Sequence, residues 1–234
     1  MKSKSDPFVI LSTYSRRHPI RLIFLLQLKI IEYISKINFD KYALPQKLIV
    51  NLSPVPQADY LNTAVTPIQM QYLLAGIEIT EKFQDSVVVE IGCYRGATTQ
   101  VIAKNTSRNV IAIDPYIGYG GEKQDFNIFV EVTKGHKNII HKSCSSGEAI
   151  KNWQHKNISF IFIDAVHDYL NTSFDIQTWL PKLLDGGILA LHDTDQLCFA
   201  GTRKAVFEIK DHLYLFAHID NLVMFQKASN VIEK

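Results

Sequence analysis

The sequence predicts an α/β protein on a mostly parallel sheet of seven strands, and three observations predict it. From Ser86 onward, short apolar runs ("SVVVEIG", "NVIAID", "NIIHKS", "SFIFID", "GILALHD") alternate with helix-length amphipathic segments, the pattern of parallel strands joined by helices on both faces. The end of the chain breaks that alternation: "LYLFAHI" and "NLVMFQK" flank Asp220, too close for a crossover helix, and so pair as a C-terminal antiparallel hairpin at the sheet edge. With 234 residues, 47% of them apolar, the chain can bury one core of that size and carry a helical N-terminal extension besides.

The first strand ends in the most informative stretch, "VVVEIGCYRGATTQ", residues 87–100. A buried strand carrying Glu90 runs into Gly92 and Gly96, and the polar residues after them open a helix whose free N–H groups face the strand end. A dinucleotide turn needs G-x-G-x-x-G, whereas the spacing here is G-x-x-x-G with Tyr94 where a pyrophosphate would approach the backbone. An acid beside that turn suits a cofactor with a cationic amino-acid moiety, and S-adenosylmethionine has that shape. A tight turn holding no ligand is the plain alternative. The second strand ends at Asp114, where an acid binds ribose hydroxyls in βαβ units, or else caps a helix ahead of Pro115.

The fourth and fifth strands end in Asp164 and in the pair His192 and Asp193, and parallel strands bring such ends to one carboxyl edge, where open α/β sheets bind ligands. His167 and Asp168 follow in the loop before a helix beginning near Tyr169. Two carboxylates and two imidazoles thus converge on one cleft. An acid buried at the end of an apolar strand is costly without a partner, which favours site roles for Asp164 and Asp193. For the histidines a structural reading stands beside the catalytic one: His167 as a helix cap, His192 as a buried strand-end residue.

Together, "VVVEIGCYRGATTQ", "VIAIDPY" and "FIFIDAVHDYLNTSFDIQTWLPKLLDGGILALHDTD" resemble the class I methyltransferases grouped with macrocin O-methyltransferase and cephalosporin hydroxylase-like proteins (the methyltransferase domain 24 type). The resemblance covers about residues 67–227. It implies a Rossmann-like methyltransferase domain, assigned to 67–234; residues 1–66 carry no such resemblance and are read from their own pattern as a basic helical extension followed, over 39–66 with Pro45, Pro54 and Pro56, by an ordered loop or lid. It also implies a cofactor site in which Glu90 and Gly92 flank the methionine part, Asp114 takes the ribose, Ser143 and Cys144 lie beside the adenine with Ser145 or Ser146 near, and Tyr94, Gly96, Thr98 and Asp164 also contact the cofactor. The serine group reads equally as an N-cap for the helix that follows. Metal-dependent relatives place an acid after the fourth strand and two acids after the fifth, which maps onto Asp164, His192 and Asp193. The imidazole departs from the all-oxygen set of Mg²⁺ and suits Mn²⁺, Fe²⁺ or Zn²⁺ better.

The function expected is therefore an O-methyltransferase that uses S-adenosylmethionine, with a divalent cation (Mg or Mn) as a second cofactor and a sugar hydroxyl of a glycan, glycolipid or glycosylated metabolite as acceptor. His167 or His192 serves as base, with Asp164 and Asp193 holding a metal or orienting the ring. A phenolic acceptor, a non-catalytic scaffold of the same fold and an iron oxygenase are the competing readings. The glycines and tyrosines of residues 115–123, Tyr116 and Tyr119 among them, form a loop that closes over the cofactor, stacks on a sugar or simply faces water; Arg203 and Lys204 face an anionic substrate or only water, and water is the expectation.

The net charge of +2 conceals an asymmetry: through Lys47 nine bases oppose three acids, a net of +6, leaving −4 for the rest. Within "PIRLIFLLQLKIIEYI", Ile20, Ile23, Phe24, Leu28, Ile31 and Ile34 recur at helical spacing, with Arg21, Lys29, Glu32 and Lys36 on another face. Such a helix packs on its own domain or on a second copy in a homo-oligomer such as a dimer, or contacts anionic membrane peripherally. Its longest apolar run is broken by Gln27 and Lys29, short of the roughly 20 residues of a membrane span, and no small-residue cleavage site follows. Three cysteines without a C-x-x-C fit a reducing compartment, hence a cytoplasmic location, with peripheral placement at the inner face of a membrane as the alternative. Basic residues are not interleaved with aromatics, so no nucleic-acid partner is expected.

Overall fold

In a computed structural model that describes residues 5–118, 121–155 and 157–228, five parallel strands and a terminal hairpin form one sheet. The strands are β1 (Val87–Ile91), β2 (Val110–Ile113), β3 (Ile139–Lys142), β4 (Ile158–Ile163), β5 (Leu183–Leu191), β6 (Leu213–Ile219) and β7 (Leu222–Lys227), in the order β3-β2-β1-β4-β5-β7-β6. β7 runs antiparallel between β5 and β6, across a turn in which Asp220 takes a left-handed conformation. This is the Rossmann-like arrangement the sequence predicts.

Alternation along the strands divides the core in two. Val89, Ile111, Ile161 and Leu189 face one layer with Ile176 and Trp179 of α7 (Tyr169–Trp179) and Ala205 and Val206 of α8 (Ala200–Glu208). α6 (Ser146–Lys151) joins that layer through Ala149. Val88, Val110, Phe160 and Ile188 face the other, against Met70, Leu73 and Ile77 of α3 (Pro67–Thr80) and Val101 and Ile102 of α4 (Ala97–Lys104). α5 (Lys123–Thr133) completes it, with Phe129 buried against Cys93 and Tyr116. Strands buried on both faces explain why the sequence shows continuous apolar runs.

The first 66 residues are more integrated than an appendage. α1 (Pro7–Thr13), capped by Asp6, packs on α7, and α2 (Pro19–Ile37) packs on α1, α7 and α8. The segment that follows is ordered by cross-contacts, including a bridge between Lys47 and His218 and a hydrogen bond from Ile49 N to Tyr72 Oη of 3.1 Å. The faces of α2 differ from the sequence expectation. Phe24, Leu28 and Ile31 are half-buried on the same side as Arg21, Glu32 and the buried Ser35, whereas Ile20, Ile23 and Ile34 are exposed with Lys29 and Lys36. Apolar residues occupy both sides of this helix, so a single hydrophobic face could not be read from their spacing. Arg203 is also corrected: it is buried, ion-paired to Asp195 and lies 4.0 Å from the Phe39 ring centre.

Candidate active site

The carboxyl ends of β2, β1, β4 and β5 are held in register beyond the strands themselves. Gly92 N donates to Ile113 O (2.9 Å), Asp164 N to Ile91 O (2.9 Å) and His192 N to Ile163 O (3.1 Å). The first residue past each strand is therefore fixed by its neighbour, and Gly92, Asp164 and His192 stand side by side. Gly92 has φ +85°, and a β-carbon there would lie 2.1 Å from Asp164 O, so only glycine lets these backbones meet.

In front of this edge lies a cavity of about 360 Å³, within the range of small-molecule sites. Glu90, Asp114, Asp164 and Asp175 contribute four carboxyl groups to its wall, and no lysine or arginine lines it among the described residues. Glu90 is fully buried and accepts from Thr99 Oγ1 at 2.5 Å; burial, with the nearby Asp164 and Asp114, pushes its carboxyl up to about 8. Asp114 caps no helix. Its Oδ2 accepts from Tyr94 N (3.1 Å) and its Oδ1 from Tyr116 N (3.0 Å), while burial raises its carboxyl above the ordinary range. Tyr94 and Tyr116 both adopt positive φ (43° and 50°), a strained conformation that turns their N–H groups onto this carboxylate.

Beyond Asp164 the second cluster assembles. His167 Nε2 lies 3.2 Å from Asp193 Oδ2 and 4.0 Å from Asp164 Oδ1, and its ring centre lies 4.8 Å from that of Phe199. Asp168, not His167, caps α7, through Asn171 N at 2.8 Å. His192 is buried behind them: Nε2 lies 3.2 Å from Gln69 Oε1, and Nδ1 sits 3.3 Å from Asp164 Oδ1 and 3.5 Å from Asp193 Oδ2. The Nδ1 contacts lack hydrogen-bond geometry, leaving that nitrogen without a bonded partner beside two carboxylates. Burial alone would lower the imidazole pKa, but Asp164 and Asp193 more than reverse this and hold it up to about 10. Burial pushes Asp193 upward, yet His192 and His167 bring it below the ordinary carboxylate range. Asp193 takes φ 54° and accepts from Asn221 Nδ2 at 2.9 Å, so its position is fixed from the hairpin.

Of the residues expected at the cofactor, Glu90, Gly92, Tyr94, Thr98, Asp114 and Asp164 line the cavity. Gly96 does not; a β-carbon there would meet Phe129 and Thr133, so its role is the packing of α4 on α5. Ser143 is exposed and Cys144 packs against the core, because β3 ends at Lys142 and the chain turns away before returning. Ser145 and Ser146 reach the cavity instead, Ser145 as the N-cap of α6 as well. Tyr116 is buried among aromatic rings instead of facing a substrate, and Tyr119 lies outside the described residues.

For a divalent ion, the ligand atoms that lie within 4.8 Å of one another belong to Asp164, His167 and Asp193, which puts His167 where the sequence placed His192. The buried Nδ1 of His192 faces the same carboxylates. Two carboxylates and an imidazole fit an ion that accepts mixed nitrogen and oxygen ligands.

Several cavity residues escaped the sequence reading. Phe8 of α1 and the segment Asn62, Thr63 and Ala64 form part of the wall, with Asn171, Asp175 and Phe199. The segment is pinned by Arg95 Nη1 to Asn62 Oδ1 (2.7 Å) and by the Thr63–Thr98 hydroxyl pair (2.8 Å). Asp175 is buried with a carboxyl pushed up to about 7 by burial and by nearby Asp6 and Asp168, and Ser146 Oγ donates to it. Only Asp175 left a signal: an acid between Phe174 and Ile176 on a helix.

Residues 89–194 match a family model described as a methyltransferase domain. No curated protein sequence matches. Among solved structures, the chain is similar to the O-methyltransferase NovP (16% identity, 88% of this chain and 99% of that one, TM-score 0.56). It is also similar to CalS11, described as a TDP-rhamnose 3'-O-methyltransferase of calicheamicin biosynthesis (15% identity, 92% and 98% covered, TM-score 0.55). A third is an O-methyltransferase from Bacillus cereus in complex with SAH (13% identity, 95% and 96% covered, TM-score 0.54).

Proposed function

We propose that this chain, a methyltransferase by its matched domain and fold, transfers a methyl group from S-adenosylmethionine to a hydroxyl, and that the hydroxyl belongs to a sugar. The observation that carries the cofactor assignment is the composition of the cavity: four carboxyl groups and no lysine or arginine in its wall, among the described residues, favour a cationic ligand over a diphosphate. Asp114 is oriented to accept from a ribose diol, and Glu90 to face an ammonium, whose charge draws the buried carboxyl toward its ionised form. Ser145, Ser146 and Phe8 also line the cavity and offer a purine hydroxyls and an aromatic face.

The bound cofactor supplies an electrophilic methyl on a sulfonium, a good leaving group. The task left to the chain is alignment and removal of the acceptor's proton. His167 lies in the cavity wall with Asp193 at 3.2 Å, where a carboxylate fixes the ring and stabilises the imidazolium formed on accepting a proton. His192, buried behind it, sets the charge around Asp164 and Asp193. A second reading, favoured by the convergence of Asp164, His167 and Asp193, has these residues hold a divalent ion that lowers the acceptor's pKa, with His167 as ligand and not base.

A sugar acceptor is supported by the fold shared with CalS11, whose description names a TDP-sugar. Methyl transfer from labelled S-adenosylmethionine to a panel of nucleotide sugars, glycans and phenols, with and without Mn²⁺ or Mg²⁺, tests it. Labelling of sugars is the expected result; labelling of phenols alone would replace the acceptor class, and no labelling despite cofactor binding would favour a non-catalytic scaffold.

A further inference from the structure

We propose that the outward face of α2 docks this protein on an anionic lipid surface. Leu22, Ile23, Leu26, Ile30, Tyr33 and Ile37 recur at three- and four-residue intervals along the exposed side of α2, a stripe about 23 Å long at 1.5 Å per residue. Leu26, Tyr33 and Ile37 are 60%, 67% and 65% exposed. Single exposed apolar residues need no explanation, but an unbroken stripe over four turns is a contact surface.

The helix that carries this stripe is fixed to the body of the protein. Glu32 turns inward and its carboxylate accepts from Tyr169 N (2.9 Å) and Gly201 N (3.1 Å), the first residues of α7 and the start of α8. A β-carbon at Gly201 would fall 1.8 Å from Glu32 Oε1, so this glycine admits the carboxylate between the two helix ends. The loops entering those helices carry His167 and Phe199, which places α2 next to the cavity.

Charge decides what covers the stripe. Between Thr13 and Ile37 the exposed charged residues are Arg16, Arg17, Lys29 and Lys36, all basic, and the one acid there is the half-buried Glu32. At 100° per residue, Lys29 and Lys36 border one side of the stripe. A second copy of the chain would set these cations against one another. Anionic headgroups would neutralise them, with the lysine stems lying along the apolar surface and Tyr33 at the depth where amphipathic rings settle. No described helix is long and apolar enough to cross a membrane, so α2 lies in the interface plane.

The proposal does not rest on methyl transfer, and the residues concerned lie outside the cavity. Flotation of the full chain with vesicles of equal parts phosphatidylglycerol and phosphatidylcholine, and with phosphatidylcholine alone, tests it. Binding to the anionic vesicles is expected, weaker by roughly tenfold on neutral ones. Leu26→Glu with Ile30→Glu should abolish it, and Lys29→Glu with Lys36→Glu should reduce it by about tenfold. Far-UV circular dichroism and a cooperative thermal unfolding transition establish that each variant is folded; should the glutamate pair fail to fold, Leu26→Ser with Ile30→Ser should still weaken binding by roughly tenfold. Absence of binding to anionic vesicles, or binding that survives both apolar and charge changes, would overturn the proposal. So would a lipid-free dimer, seen by sedimentation equilibrium, that the glutamate pair splits into monomers.

Discussion

The two ends of the sheet bury charge in opposite ways. At the amino end, Arg108 is buried with its donors spread over Thr106 Oγ1 (2.9 Å), Thr80 O (2.9 Å), Ile77 O (3.1 Å) and Glu81 Oε2 (2.9 Å). Glu81 feels some burial, but Thr106 and Arg108 hold its carboxyl below the ordinary range. At the carboxyl end, Glu90, Asp114 and Asp175 are pushed upward by burial, and no lysine or arginine lines their cavity among the described residues. The strained positive-φ residues Tyr94, Tyr116 and Asp193 also collect there. The amino end ties α3 to β2 and β4; the carboxyl end leaves like charges crowded around a space that a cationic ligand would relieve.

The sharpest way to break this contrast is to remove the paired cation. Arg108→Met should cost about 3–5 kcal/mol in urea or thermal unfolding, because Glu81 and the carbonyls of Ile77 and Thr80 lose their partner. A loss below about 1 kcal/mol would show that the amino end does not depend on that network. His167→Asn should lower methyl transfer by at least about 10²-fold with little change in S-adenosylhomocysteine affinity or unfolding midpoint, measured by single-turnover labelling and calorimetry. If affinity falls with rate, His167 holds the cofactor and not the acceptor.

Asp175 bears on stability. Its folded carboxyl is raised to about 7 from an ordinary 3.8, so the folded state binds the proton more tightly and stability falls as pH rises from about 4 through 7. Asp175→Asn should flatten that fall and stabilise the protein at pH 8, by an amount on the order of 1–4 kcal/mol. Parallel pH profiles of wild type and variant would refute the assignment. The smallest effect is at Glu90, whose carboxyl, held up to about 8 by burial, should drop when a cation binds. Cofactor affinity should then rise by roughly tenfold between pH 6 and 8 with release of a proton, and Glu90→Gln should lose that slope. Calorimetry in buffers of different ionisation enthalpy reads the proton directly.

The same contrast explains what the sequence could convey. Strands buried on both faces declare themselves as apolar runs, and acids at their ends stand out against that background, so the sheet, the hairpin and Glu90, Asp114, Asp164 and Asp193 were legible. Residues that reach the cavity through tertiary packing were not. Phe8 and Asn62–Ala64 arrive from segments far from the strand edge, and their local patterns look like any helix or loop. Ser145 and Ser146 displaced Ser143 and Cys144 because the chain turns between β3 and α6, a geometry that strand-end counting does not capture. His167 and His192 are indistinguishable by spacing; only the register of β5 beside β4 shows that His192 points behind the carboxylates and His167 into the cavity.

The proposal to test first is that the carboxyl edge holds S-adenosylmethionine on an acid-lined surface without lysine or arginine among the described residues. Calorimetric titration of the wild type and Asp114→Ala with S-adenosylhomocysteine, with and without Mn²⁺ or Mg²⁺, tests it most directly. Micromolar binding to the wild type is expected, weakened by about 10²-fold or more in the variant, which stays folded at the assay temperature although loss of the acceptor for Tyr94 N and Tyr116 N lowers its unfolding midpoint. Equal binding to both proteins, or no binding to the wild type under any condition, would contradict it.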